Sequence, residues 1–298
     1  IKLLIEDGDA QTARTLAGLA LPGDVEVLQL PPGAPRTKPR ALNVGLAAAR
    51  GHFLVVYDAE DRPEPGQLRT ALAGFAADRE LACVQARLAI DNGGDNWLAR
   101  QFAVEYMALF DAFLPRLASR GLMFPLGGSS NHFRTAALRG VCGWDAWNVT
   151  EDADMGVRLA RHGYGIAVIA SSTFEEAPTQ VAAWIYQRTR WMKGYILTWW
   201  LHACRPRRLL REVGLRHFLV FNALVGGAPL SALALPVLIV CFSMHLPVPW
   251  SAHTAPHLAI LHAANMAVGF GAVLWLALLG VRRRGAWGYL GALVWLPA

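Results

Sequence analysis

Three carboxylates stand within four residues at Glu151-Asp152-Ala153-Asp154, directly after Thr150 and at the mouth of a helix-like stretch that stops at His162-Gly163. A carboxylate held there can take the proton of an attacking hydroxyl. One base suffices when that hydroxyl attacks directly and inverts the carbon it attacks, because no second nucleophile is needed. Asp152 is the candidate base, and Glu151 and Thr150 are the residues that position it. Asp154 reads as a first-turn acid that interacts favourably with the helix dipole. Helix capping by Thr150 accounts for part of the same pattern without chemistry, and the two roles are compatible.

Other clusters have chemical potential of their own. Asp58-Ala59-Glu60-Asp61 follows the apolar run 53–57. Carboxylates spaced i, i+2 beyond a strand end can share Mg2+ or Mn2+, whose oxygen shell substrate phosphates complete. Asp58 is the first expected ligand and Glu60 or Asp61 the second; the plain alternative is a solvated acidic turn. Glu6-Asp7-Gly8-Asp9 is a second acidic strand end, at which Glu6 or Asp7 can accept hydrogen bonds from a base or ribose. Asp9 or Thr12 can equally cap a helix there. Lys38 and Asn43 place a cation and an amide near a helix start, where a phosphate is favoured. Gln187, Arg190 and Trp191 share one helix face by their i, i+3, i+4 spacing. An amide and a guanidinium can hold a diphosphate, and the indole can stack on a sugar; snorkelling at a membrane explains the same pair without chemistry.

The elements that must position these groups alternate. Residues 2–5, 25–30, 53–57, 82–86 and 165–170 read as strands, and residues 11–21, 41–50, 65–77 and 96–117 as helices. This β-α-β-α-β order predicts an α/β domain with a mostly parallel sheet, in which ligands bind beyond the carboxyl ends of strands. Two such ends carry the acid clusters. The turn-like Gly127-Gly128-Ser129-Ser130-Asn131 lies between.

The chain of 298 residues has a formal net charge of +6. The basic excess is confined to two blocks, Arg205 to Arg216 and Arg282-Arg283-Arg284, each flanking apolar sequence. That is a membrane-topology signal and argues against a nucleic-acid footprint. Four cysteines with no CxxC spacing argue against a zinc site or a disulfide framework and fit a reducing compartment. From His217 through Val281 there is no Asp, Glu, Lys or Arg. Two spans are expected, at about 218–242 and 258–281, each exceeding the roughly 20 residues a crossing needs. The flanking Arg blocks put both outer ends, and the α/β domain with them, in the cytosol. A third span is expected to start at 285. Residues 181–202 interleave Trp and Tyr with Arg and Lys, as a helix at the membrane interface does. The expected division is 1–178, 179–216 and 217–298. The first residue is Ile, and the ordering reads as a segment of a longer protein.

The order Lys38-to-Asn43, Asp58-Ala59-Glu60-Asp61, Thr150-Glu151-Asp152 and Gln187-x-x-Arg190-Trp191, followed by spans, resembles the membrane-embedded family-2 glycosyltransferases, which include cellulose, chitin and hyaluronan synthases. The resemblance implies a GT-A fold, a nucleotide-sugar donor (UDP-linked by expectation), a divalent metal and inversion at the anomeric carbon. It implies that Glu6, Asp7, Lys38, Asn43 and Asp58 meet the nucleotide, and that Asp58 with Glu60 or Asp61 meets the metal. Asp152 would be the base, Gln187, Arg190 and Trp191 would lie by the diphosphate and acceptor, and Gly128 and Ser129 by the acceptor sugar. The acceptor would be a growing polysaccharide at a bacterial-type inner membrane; a polyprenyl-phosphate or other lipid is the alternative, and a silent membrane scaffold or nucleotide sensor a third reading.

Overall fold

The computed structural model describes residues 1–245 and 256–295. The middle of the expected loop between the spans, 246–255, lies outside the described residues.

The chain begins with strand β1 (Lys2–Ile5), helix α1 (Ala10–Ala17), capped by Asp9 accepting from Thr12 N at 3.0 Å, and strand β2 (Glu26–Gln29), which pairs parallel to β1. Helix α2 (Lys38–Ala47) starts earlier than composition alone indicates, because Pro39 in its first turn is pre-set for helix and needs no N–H partner. Then come β3 (Phe53–Val56), the two-residue β4 (Arg62–Pro63), α3 (Gln67–Ala77), β5 (Leu81–Ile90), α4 (Trp97–Tyr106), a π-helical segment Met107–Phe113 and α5 (Leu114–Ala118). The last three form one continuous rod close to the expected 96–117 helix, started by Asn96 accepting from Ala99 N at 2.9 Å. Strand β6 (Asn131–Arg134), α6 (Thr135–Gly140), α7 (Glu151–Arg161) and β7 (Gly165–Glu175) complete the α/β part.

The main sheet runs β3-β6-β5-β7-β4. Its longest ladder, β5–β7, is parallel, but β6 inserts antiparallel between β3 and β5, and β4 pairs antiparallel to β7. The sheet is therefore mixed where a mostly parallel one was expected. Between β5 and β6 the chain runs through the α4–α5 rod and then the loop 119–130, which brings β6 in antiparallel beside β5. Strand β5 is buried along nearly its whole length, as a central strand covered on both faces must be. Both β5 and β7 run several residues past their expected ends, and this extension carries Glu175 into the site described below.

Helix α8 (Val181–Ala203) buries Gly194, Thr198 and His202, at i, i+4 and i+8, and exposes Ile185, Tyr186, Ile196 and Trp200. Helix α9 (Pro206–Phe221) is broken at Gly214, whose φ of 74° and ψ of 167° are open to glycine and strained for other residues. Leu209 and Val213, before the break, pack with Val157 of α7. After a π turn at Asn222–Gly226, α10 (Gly227–His245) continues the apolar stretch, and α11 (Pro256–Arg284) packs against it. Pro206–Val240 and Ala263–Arg284 are long and apolar enough to cross a bilayer.

The basic end of α11 returns to the α/β part. Asp111, fully buried in the π segment, pairs with Arg284 Nε at 2.7 Å and Arg87 Nη1 at 3.3 Å, and its carbonyl accepts from Arg283 Nη1 at 2.9 Å. Gly280 makes the approach possible, since a Cβ there would come 2.4 Å from the Met107 carbonyl carbon. Arg283 and Arg284 thus bind the α/β part directly. The stretch expected to open a third span is a 3-10 helix, Trp287–Trp295, lying along α4: Gln101 Nε2 donates to Ala292 O at 2.9 Å, and Arg100 stacks on Tyr289.

Candidate active site

One cavity of about 790 Å³ lies beyond the ends of β3, β5 and β7, and α8 passes over it. Lys38, Asp58, Glu60, Gly128, Thr150, Glu151, Asp152, Gln187, Arg190 and Trp191 all line it. Five separated stretches of sequence are thereby brought to one space.

The start of α7 is held from two sides. Gly156 lets the helix lie directly on the 122–126 segment, since a Cβ there would come 2.4 Å from Phe124 O. Gly194 brings α8 equally close, since its Cβ would come 2.3 Å from Thr150 Cγ2. Thr150 N and Oγ1 donate to Asn148 Oδ1 (3.0 and 3.3 Å), and Asn148 Nδ2 donates to Thr198 Oγ1 at 2.8 Å. Farther along, Asp154 Oδ1 meets His202 Nε2 at 2.7 Å, and its Oδ2 meets Arg158 Nε at 2.8 Å. Asp154 therefore faces the α7–α8 contact and leaves the cavity wall to Asp152.

Asp152 Oδ1 accepts from Ala153 N at 2.7 Å, and Oδ2 points toward Gly128, where a Cβ would come within 3.4 Å. Burial and the neighbouring Glu151 charge push its carboxyl from 3.8 up to about 7, against the opposing pull of the Ala153 N–H and Lys38. Burial also raises the Glu151 carboxyl. A base that titrates near neutrality is at once ionised and able to hold a proton.

The loop facing Asp152 is built by a polar residue in the middle of β5. Gln85, fully buried, accepts from Gly127 N at 2.8 Å and donates to Ser129 O at 2.9 Å. Asn131 Nδ2 donates to Gly127 O at 2.6 Å. Lys38 Nζ donates to Gly128 O at 2.8 Å and is ion-paired with Asp58, so one cation spans the two walls.

The acidic turn divides its carboxylates. Asp58 and Glu60 line the cavity, whereas Asp61 turns inward, accepting from Asp58 N at 2.8 Å and from the Ser129 hydroxyl. Burial raises the Asp61 carboxyl, and its Oδ1 is enclosed without a partner. Ser129 is buried in that bond and does not line the cavity. Among the described residues no group of three or more His, Cys, Asp or Glu side chains is placed to hold a metal. Two wall carboxylates nevertheless suit Mg2+ or Mn2+, which bind through one or two carboxylates plus substrate phosphates.

The other expected nucleotide residues lie apart from the cavity lining. Asn43 Nδ2 donates to Trp144 O at 2.7 Å and Oδ1 accepts from Trp144 N at 2.9 Å, so its amide is spent tying α2 to the 144 loop. Glu6 is paired with Arg40 at 3.6 Å, and Asp7 is half-buried at the end of β1.

Several lining residues were not foreseen. Glu175 ends β7 on the cavity wall, and burial pushes its carboxyl up to about 7, with the Tyr106 hydroxyl opposing. Its signal was the run Ser171-Ser172-Thr173-Phe174, whose polar residues and Thr/Phe pair extend a strand otherwise read as ended at 170. Leu88, Phe102, Tyr106, Leu109, Phe110 and Leu126 form an apolar wall. A smaller recess of about 360 Å³, lined by Tyr186 and Pro178 among others, shares Glu176, Gln187 and Arg190 with the main cavity.

Comparison with known proteins bears on the fold and the family. Among solved structures, the mannosyltransferase PcManGT from Pyrobaculum calidifontis, in complex with GDP-Man and Mn2+, is similar in fold (TM-score 0.51, 16% identity, covering 98% of this chain and 76% of that one). The beta-monoglucosyldiacylglycerol synthase of Synechocystis sp. is 30% identical over 68% of this chain and 43% of its own length. A probable glucomannan 4-beta-mannosyltransferase 11 of Arabidopsis thaliana is 27% identical over 54% of this chain and 34% of its own. The chain thus spans less than half the length of these curated relatives. The profile of glycosyl transferase family group 2 matches residues 53–290, a stretch that holds Asp58, Asp152 and Gln187 to Trp191 as well as both apolar helices, and the chain belongs to that family.

Proposed function

We propose that this chain is the catalytic part of a membrane-bound, inverting glycosyltransferase that moves a sugar from a nucleoside-diphosphate donor to an acceptor hydroxyl. The observation that carries the reading is the position of Asp152: a carboxyl poised near pH 7, on the same cavity as Lys38 and Asp58 and under Gln187, Arg190 and Trp191. The acceptor hydroxyl gives its proton to Asp152 as its oxygen attacks the anomeric carbon from the face opposite the diphosphate. The bond from that carbon to the diphosphate breaks, and the nucleoside diphosphate leaves. Arg190 and Lys38 stabilise the charge that develops on it. Asp58 and Glu60 would hold Mg2+ or Mn2+, which when bound supplies further neutralisation of the diphosphate. Gly128 keeps the space before Asp152 clear of a side chain, and the apolar wall excludes water that would otherwise compete as acceptor.

Residues 1–178 would form the GT-A domain, 179–216 the interface helices and 217–298 the membrane part, with the domain on the cytosolic face of an inner membrane. The acceptor is a growing polysaccharide on the first reading. Single-sugar transfer to a lipid is the second, supported by the apolar wall from Leu88 to Leu126 and by the similarity to a diacylglycerol glycosylating enzyme. The test is nucleoside-diphosphate release from labelled UDP- and GDP-hexoses by membranes carrying the full-length protein, with product sizing. A polymer supports the first reading and a single lipid-linked sugar the second. Near-normal turnover in Asp152→Asn would refute the assignment of the base.

A further inference from the structure

The positions inside Gln187-x-x-Arg190-Trp191 are not inert. Trp184, Arg188 and Trp191 stand at i, i+4 and i+7 on one face of α8. The Arg188 guanidinium lies between the two indoles, 5.6 Å from the Trp184 ring centroid and 4.7 Å from that of Trp191, and 4.9 Å from Phe102 of α4. Glu105 of α4 grips it with both oxygens, one bond measuring 2.7 Å (Nη1 to Oε1) and the other running from Nη2 to Oε2. A planar guanidinium can satisfy a fork-shaped carboxylate and stack on aromatic faces at the same time; an ammonium cannot.

Trp191 lines the cavity while Arg188 does not, so Arg188 covers the indole from behind. Phe102, tilted 50° to Trp191 at 6.2 Å between centroids, limits rotation on the α4 side. A tryptophan that could swing would lose much of its value as a stacking platform, because ordering it on binding costs free energy. We propose that Arg188, held by Glu105, is a positioning residue that locks the Trp191 indole so that its open side is presented to the acceptor sugar. The inference rests on the glycosyltransferase reading above and goes beyond it, since it assigns acceptor affinity to Arg188, which does not line the cavity, held by Glu105, which does.

The test uses the full-length protein in membranes, with UDP-glucose and GDP-mannose as donors and dioleoylglycerol vesicles and manno-oligosaccharides as acceptors. Acceptor KM, kcat and equilibrium binding of UDP and GDP are measured for wild type, Arg188→Ala, Arg188→Lys and Glu105→Gln, with Trp191→Ala as the benchmark. Arg188→Ala is expected to raise acceptor KM about tenfold, the order expected from losing a buried cation–π contact, and to approach the Trp191→Ala value. Nucleotide binding stays within about twofold of wild type, because Arg188 does not line the cavity and Lys38, Asp58 and Arg190 are left in place. Arg188→Lys keeps the charge without the fork and recovers part of the loss, and Glu105→Gln gives a smaller rise. If Arg188→Ala does not fold, the last two variants read the same effect. An unchanged acceptor KM, or a parallel fall in nucleotide binding and acceptor affinity, overturns the inference and leaves a purely structural tie between α4 and α8. Wild-type protein that transfers nothing from either donor removes the glycosyltransferase reading itself, and this inference with it.

Discussion

Replacing Asp152 by Asn should cost activity and gain stability, and the gain should depend on pH. In the unfolded chain the carboxyl titrates at its ordinary 3.8; in the folded site it titrates at about 7. Between these values the folded state binds the extra proton. Stability therefore falls as pH rises through that window, and the full cost is present above 7. At about 1.4 kcal/mol for each tenfold step, the upper bound is about 4 kcal/mol at pH 8. Cavity water and the shared proton with Glu151 reduce it, so a gain of about 1–3 kcal/mol is expected for the uncharged variant. This corresponds to a rise of about 3–10 °C in Tm for a domain of this size. The assay is thermal unfolding of purified wild type and Asp152→Asn in detergent at pH 4 and pH 8. The two proteins should nearly coincide at pH 4, where Asp152 is protonated in the folded state, and separate at pH 8 in favour of the variant. Transfer by wild type should rise with pH through a limb near 7, and in the variant it should be lost. A variant no more stable than wild type at pH 8, or a difference independent of pH, would refute the claim that Asp152 is held against its charge.

Chelation should stop transfer, and Mn2+ or Mg2+ should restore it; wild-type rates in excess chelator would exclude a metal at Asp58 and Glu60. Asn43→Ala should destabilise the protein by about 1–3 kcal/mol in chemical unfolding, because it leaves the Trp144 backbone N–H and carbonyl unpaired. Donor KM should change little, and a selective rise in donor KM would return Asn43 to the nucleotide site. Gly194→Ala should force α8 off Thr150, costing about 1–3 kcal/mol and most of the transfer rate. Unaltered kinetics would mean the α7–α8 contact does not position Asp152.

Much of the architecture is legible in the sequence because it is carried by local signals. The apolar run from His217 to Val281, the strand ends bearing Asp58, and the helix opened by Thr150-Glu151-Asp152 depend on composition, periodicity and caps. The i, i+3, i+4 spacing puts Gln187, Arg190 and Trp191 on one face, and all three do line the cavity. Lys38 and Asn43 are five residues apart in α2, about 140° around a helix, and the structure correspondingly puts Lys38 on the cavity and Asn43 on the Trp144 backbone.

What the sequence by itself determined is the order of chemical groups along the chain and the kind of environment each needs. Only the tertiary structure decided which member of a cluster faces the cavity. Asp61 and Glu60 are equivalent on paper, and the loop's inward turn onto Ser129 separates them. Gly194 is an ordinary helix glycine until α8 is laid on Thr150. Glu175 reaches the cavity because the parallel ladder with β5 carries β7 on to Ile90. The direction of a side chain in a loop, and the length of a strand whose partner is distant in sequence, are fixed by what packs against them. That is long-range information, which no window of residues contains.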